Sequence, residues 1–275
     1  MKNTLSKRAL FAVIYAPLFL GTAYLGHIFF AVFLAALGAL AFSEFLSLSG
    51  LRVTAVRRLF FVVGFFLVVF FLYKSDLWSA FLAFLLFSFL NAVFETVSGG
   101  VEQTLERFAY PIAGVILYGF FFFSGYLIRS RFYSFDDPLL PFILTAFPIV
   151  TAWVTDTFAY FGGRWFGKRP LAEELSPRKT VAGGISGMLG SLFVGFLAYL
   201  CCVDMNAAWT FIPLGLIGGT AGQLGDLFES KLKREAGIKD SSHIFPGHGG
   251  AMDRIDSLVF VFPFFLAWYA VFLKL

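Results

Sequence analysis

The feature that most constrains this chain is a succession of nine apolar runs, at roughly 9–26, 28–48, 59–73, 77–97, 108–128, 139–163, 181–203, 207–229 and 255–273. About 20 apolar residues in a helix span the ~30 Å hydrocarbon core of a bilayer, and most of these runs reach that length. The third, at roughly 15 residues, is the shortest. Alternation of period two is absent, and lipid offers no hydrogen bonds to an open backbone, so the runs must be helices. The expected fold is an all-α integral membrane protein of about nine transmembrane helices. Charged residues make up 14% of the chain, against roughly 25% in a soluble domain. The first run is longer than a signal core and has no small-x-small cleavage site after it, so it reads as a retained helix. Pro17 and Pro111 lie inside runs and predict kinks; Pro148 interrupts the sixth.

Basic residues give an orientation, because they accumulate on the cytoplasmic side. With nine spans and an inside N-terminus, only Lys74, Arg129, Arg131 and Lys274 of the 21 Lys and Arg fall outside. This places the N-terminus in the cytoplasm and the C-terminus outside.

The chain divides into two halves. Residues 1–137 hold spans one to five, generic in composition. Glu44 and Glu95 sit near inner ends, where interfacial anchoring or helix pairing accounts for them, with a site role as the alternative. The outer loop 129–138 reads as a solvated turn, and the vicinal Cys201 and Cys202 as packing or lipid-facing residues. Residues 138–275 hold spans six to nine with inner loops 164–180 and 231–254, and the texture changes. Asp156 lies deep in an apolar run. A buried Asp costs ~2.5–3.5 kcal/mol on insertion scales, so it should face the protein interior and have a partner. The loop 164–180 carries Arg164, Lys168, Arg169, Arg178 and Lys179, with Ser176-Pro177 as a turn signal. Topology and anionic lipid account for much of that charge. They do not account for the glycine-rich helix start that follows, AGGISG, whose N–H groups favour an anion.

Residues 226–256 form a charged island between two apolar runs. Asp226 and Glu229 are three apart, hence on one helical face, and so are Asp253 and Asp256. Spans six, eight and nine therefore each bring carboxylate to the cytoplasmic side, and a site between these three is expected. Carboxylates beside phosphate-binding groups suit Mg²⁺, a hard cation held by one or two carboxylates plus substrate phosphates. Asp226 and Asp253 are the candidate metal ligands. Lys231, Lys233, Arg234, Lys239 and Arg254 can neutralise a triphosphate or pyrophosphate. Gly249 and Gly250 let backbone approach phosphate. His248 fits phosphate binding, acid catalysis or a plain structural hydrogen bond; His243 reads as structural. There is no GxxxxGK[ST], no GxGxxG with its distal acid and no HExxH.

The run Ser230-Lys231-Leu232-Lys233-Arg234, then Lys239-Asp240, then Phe245-Pro246-Gly247-His248-Gly249-Gly250, then Asp253-Arg254-Ile255-Asp256 resembles the signature of phosphatidate cytidylyltransferases, the CDP-diacylglycerol synthases. A weaker upstream block matches too: Asp156, Ala159-Tyr160-Phe161, Gly163-Arg164, Phe166-Gly167-Lys168 and Ser176-Pro177-Arg178-Lys179-Thr180. The likeness covers about residues 150–256. It departs at Ala182, where the family usually has Glu, and at Phe158, where a small residue is common. The resemblance implies that CTP and phosphatidate give CDP-diacylglycerol and pyrophosphate with Mg²⁺, and that a second cation is compatible with the site. It assigns catalysis to Asp226, Asp253, Lys233 and His248. It assigns substrate and phosphate binding to Asp156, Arg164, Lys168, Lys179, Ser230, Lys231, Arg234, Lys239, Gly249, Gly250, Arg254 and Asp256. The family also suggests a homodimer; a bacterial-type inner membrane location, a site on the cytoplasmic side from the basic-residue division and no nucleic-acid partner are the accompanying expectations. Two rival readings are a CTP-using polyprenol-type kinase and a transporter with Asp156 as an ion site.

Overall fold

A computed structural model describes residues 2–49, 54–98, 101–131, 139–205, 207–245 and 249–273. Its helices are α1 (Lys2–Leu25), α2 (His27–Leu48), α3 (Ala55–Tyr73), α4 (Leu77–Ser98), α5 (Thr104–Arg131), α6 (Leu139–Phe166), α7 (Val181–Cys201), α8 (Phe211–Glu235), the single turn α9 (Met252–Ile255) and α10 (Leu258–Phe272). Among the described residues seven helices are long and apolar enough to cross a membrane: α2 to α7, and the stretch Met252–Phe272. The protein is an integral membrane protein. The weak third run qualifies because the Thr54 hydroxyl accepts from Arg57 N at 3.3 Å and starts the helix at Ala55, giving 19 residues. Two of the nine expected spans fall short of that test. The apolar part of α1 is the short Val13–Leu25, and α8 is diluted by glycine and a charged tail. Helix α8 nonetheless packs on α6, α7 and α10, inside the bundle.

The 164–180 loop departs from an all-helical reading. It forms an antiparallel hairpin, β1 (Pro170–Ala172) and β2 (Ser176–Thr180). The turn falls at residues 173–175, and Ser176-Pro177, expected as the turn, opens β2 instead. A two-stranded ribbon tolerates Pro177 because each strand has a free edge for the residue that lacks an N–H.

Lipid tails are as apolar as Leu, so close packing and buried polar contacts must hold the helices together. Phe19, Phe42, Phe65, Phe121, Phe211, Phe262 and Phe265 are fully buried or nearly so, and their rings meet one another, as in the stacked Phe42–Phe65 pair at 5.4 Å. Helices α7 and α8 cross at glycine. A Cβ on Gly215 would run into the Ser191 carbonyl and the Gly195 backbone. Buried charges tie other elements. Glu95 of α4 pairs with Arg57 of α3 and with Arg107 of α5, the latter at 2.8 Å, which makes it a helix-pairing residue. Arg129 donates to the carbonyls of Ala23 at 2.7 Å and Tyr24 at 3.1 Å. It thereby caps the end of α1, where Gly26 takes a φ of 66°.

Candidate active site

The polar ends of α6, α7, α8 and the hairpin enclose a cavity of about 510 Å³. Helix α6 contributes Asp156, Tyr160, Gly163 and Arg164; the hairpin contributes Leu171, Arg178 and Lys179; α8 contributes Gln223, Asp226 and Leu227. The start of α7 supplies the remaining wall through Thr180, Gly183 and Gly184. Thr180 is the N-cap of α7, its hydroxyl accepting from Gly183 N at 3.1 Å. The first turn of α7 carries no acidic side chain, so its N–H groups and dipole favour an anion at that wall. Gln223 Nε2 donates to the Gly184 carbonyl at 3.2 Å and holds α8 to this turn.

The cavity carries both signs of charge. Lys179 pairs with Asp226, and Arg164 donates to the Tyr160 hydroxyl at 3.3 Å. Asp156 is accessible through the cavity and, among the described residues, has no hydrogen-bond or ion-pair partner. The expectation that it faces inward is met; the expected direct partner is not there. Instead it sits in the combined field of Asp256, Asp226, Lys179 and Arg254.

A second cluster lies at the inner end of α8. Lys233 donates to Glu229 at 2.8 Å and to Asp253 at 2.6 Å. Burial works against its charge, but the two carboxylates prevail and its pKa lies above the ordinary lysine value. The other oxygen of Asp253 accepts three bonds, from Ser241 N at 3.0 Å, Ser241 Oγ at 2.9 Å and Gly250 N at 2.8 Å. Gly249 adopts a φ of 78°. A side chain there would strike Asp253, and one at Gly250 would strike Ser241 and Glu44. The two glycines thus bring backbone against protein carboxylates.

The remaining expected residues are placed as follows. Arg234 donates to the carbonyls of Leu175 and Ile238, each at 3.2 Å, and so latches the hairpin turn to α8. Asp256 accepts from Ser257 N at 2.6 Å. Arg254 is half-buried, and its Nε has no partner among the described residues. Ser230 is half-buried, while Lys168, Lys231 and Lys239 are exposed. His248 lies outside the described residues. The opening of the ninth run approaches the cavity through Asp256 and Arg254, whose charges act on Asp156. The cavity walls are α6, the hairpin, α7 and α8; no residue of α10 lines it.

The donor set can be tested against Mg²⁺. Asp226 presents a carboxylate to the cavity. In Asp253 one oxygen is saturated by three donors, but Oδ1 accepts only from Lys233 and keeps a lone pair. Among the described residues no three acidic, His or Cys side chains form a ready cage. One or two carboxylates completed by substrate phosphate is the arrangement Mg²⁺ prefers; Asp226 offers one such carboxylate inside the cavity, and Asp253 Oδ1 offers another in the second cluster.

The pattern of the cytidylyltransferase family matches residues 6–272. The chain belongs to that family. It is 35% identical over 260 residues to a phosphatidate cytidylyltransferase of Staphylococcus aureus (strain COL), covering 93% of this chain and 95% of the relative. A Brucella abortus protein of the same name is 34% identical over 262 residues, covering 94% and 90%. A Staphylococcus saprophyticus relative, again of that name, is 49% identical over 125 residues, 45% of this chain and 47% of its own.

Gln223 is not singled out in the sequence, Arg178 reads only as part of the basic loop and family block, and Glu44 reads as anchoring or helix pairing with a site role as the alternative. Arg178 and Gln223 line the cavity, and Glu44 holds the signature segment from the other half of the chain. Gln223 carried a signal, since it is a lone amide in a glycine-rich apolar run. The partner of Glu44 is about 200 residues away, and no local pattern announces it.

Proposed function

We propose that this chain transfers the cytidylyl group of CTP to phosphatidate, giving CDP-diacylglycerol and pyrophosphate, at the cytoplasmic face of the membrane. The observation that carries this reading is the cavity, where Arg164, Arg178, Lys179 and the start of α7 face Asp156 and Asp226. In the reaction an oxygen of the lipid phosphate forms a bond to the α-phosphorus of CTP, and the bond from that phosphorus to the bridging oxygen breaks. The lipid phosphate is already anionic at neutral pH, so no strong base is needed. The work falls to positioning and to neutralising charge on the leaving pyrophosphate.

The roles follow from placement. Arg164, Arg178 and Lys179 neutralise phosphate oxygens within the cavity, and the N–H groups of Gly183 and Gly184 add uncharged donors at the same wall. Asp226 and Asp253 Oδ1 would hold Mg²⁺, which when bound supplies positive charge on the phosphates. Lys233 locks Asp253 and Glu229 in place. Arg254 lies near Asp156 and Asp256 and keeps donor capacity for phosphate. Lys168, Lys231 and Lys239, exposed at the same end, draw in an anionic nucleotide. His248 is assigned the leaving group. The 17-to-4 division of basic residues supports a cytoplasmic position for this end, where CTP is. Phosphatidate comes sideways from the bilayer. A homodimer in a bacterial-type inner membrane completes the reading.

The test is product identity. Purified protein is given labelled CTP and phosphatidate, with and without Mg²⁺. The reading requires labelled CDP-diacylglycerol and pyrophosphate, dependent on the metal. Formation of CDP with a phosphorylated lipid would instead mean γ-phosphate transfer, and no turnover of CTP would end the nucleotidyl-transfer reading.

A further inference from the structure

The signature segments 241–245 and 249–252 are held by a carboxylate from the other half of the chain. Glu44, on α2, is 5% exposed. Its Oε1 accepts from Ser242 Oγ at 2.6 Å and Ala251 N at 3.0 Å. Its Oε2 accepts from Ser241 Oγ at 2.9 Å and Met252 N at 2.8 Å. Four donors on one buried carboxylate satisfy it fully, and all four come from residues about 200 positions later. No basic side chain is among them. Ser241 Oγ stands at 2.9 Å from both Glu44 Oε2 and Asp253 Oδ2. A hydroxyl has one hydrogen, so Ser241 serves the two carboxylates in turn and couples their positions. The contacts run on from Asp253 to Lys233 and Glu229.

We propose that Glu44 is a positioning residue for the transfer reaction. Through Ser241 and the amides of Ala251 and Met252 it sets where Asp253 presents Oδ1, the oxygen that faces Lys233. It touches neither substrate nor reacting atom. The alternative is a plain packing role, in which Glu44 merely ties α2 to the α9 turn. Geometry favours positioning for two reasons. The bonds converge on Ser241 and on the residues immediately preceding Asp253, and a side chain at Gly250 would strike both Glu44 and Ser241, so the backbone lies close against the pair. The inference rests on the proposed reaction, so its test needs one measurement that does not.

Glu44→Gln keeps the shape but turns an amide NH₂ toward an N–H donor, removing acceptors from one side. Three measurements on purified full-length protein decide the matter. Hydrogen exchange at the amides of Ala251 and Met252 should speed up, with global thermal stability changed far less. The Mg²⁺ concentration for half-maximal rate should rise, and kcat should fall, by about 10- to 100-fold in total, the usual cost of losing a group that orients a ligand, while the KM for phosphatidate stays within about 2-fold. Ser241→Ala should act in the same direction, and the double variant should be no worse than Glu44→Gln alone, because both cut one relay. Glu44→Asp, which keeps the acceptors, should recover part of the loss. Unchanged exchange, or a uniform fall in active fraction with the Mg²⁺ requirement unmoved, would overturn the positioning role. If the unaltered protein makes no CDP-diacylglycerol, the proposed reaction fails; faster exchange in Glu44→Gln would still report the tether.

Discussion

Asp226 illustrates how one residue serves two needs. It pairs with Lys179 in the cavity, and in the proposed reaction it would also hold the cation. Asp226→Asn removes the charge and keeps the size. We expect CDP-diacylglycerol formation to fall by at least about 100-fold, the scale of losing one preorganised charge at a reacting phosphate, with detergent-solubilised yield and melting temperature unchanged. A variant retaining full activity would remove Asp226 from the metal site. Gly250 makes a different residue-scale case. Its added methyl would meet Glu44 and Ser241, so Gly250→Ala should cost about 1–3 kcal/mol through overpacking. It should also lower activity together with stability, as a melting curve and a rate assay on the same preparation would show.

At the scale of elements, buried charge does the work that apolar burial does in water. Glu95 is held by Arg57 and Arg107 where α3, α4 and α5 meet, and Arg57 also lies over the rings of Phe61 and Phe94, at 5.3 and 5.2 Å. Glu95→Gln leaves two guanidinium groups beside each other without a counter-charge. Breaking a buried pair from one side costs about 3–5 kcal/mol, so we expect a large drop in thermal stability. Activity of the fraction that stays folded should be preserved, since none of these residues lines the cavity. The α7–α8 crossing predicts another outcome. Gly215→Val would force apart the backbones at Gly195 and Gly215 and shift α8, which carries Gln223 and Asp226. Stability and activity should therefore fall together, in contrast with Glu95→Gln.

For the whole molecule, the basic-residue asymmetry predicts that the cavity end and the Lys74 end lie on opposite sides of the membrane. With Cys201 and Cys202 replaced by Ser, single cysteines at Lys239 and at Lys74 should label oppositely in intact cells: an impermeant thiol reagent should reach position 74 and not 239. Labelling of both or neither would reject the nine-span threading. Much of the architecture was legible in the chain itself. Runs of about 20 apolar residues are long-range order written locally, since each need only exceed the bilayer thickness to declare itself. The weakest run, 59–73, became a full helix because Thr54 and a polar first turn extend it, a gain that an apolar count does not register. The hairpin was misread for the reverse reason: Ser176-Pro177 is a strong local turn signal, and strand pairing with Pro170–Ala172 overrode it.

The amino-acid chain alone marks a helical membrane protein, concentrates its candidate site residues in the C-terminal half, and carries the family resemblance. Each of these depends on composition, spacing or a contiguous signature, all of which are local. Which charged residues share a space emerges only when the helices pack. Packing put Arg178, Gln223 and the start of α7 into the cavity with Asp156 and Asp226. It turned Arg234 onto the hairpin, and it set Glu44 beneath the segment that carries Asp253. Those pairings span from a few dozen to about 200 residues. Their energy comes from hydrogen bonds and charges that meet only once the helices have packed, so no single stretch of the chain records them.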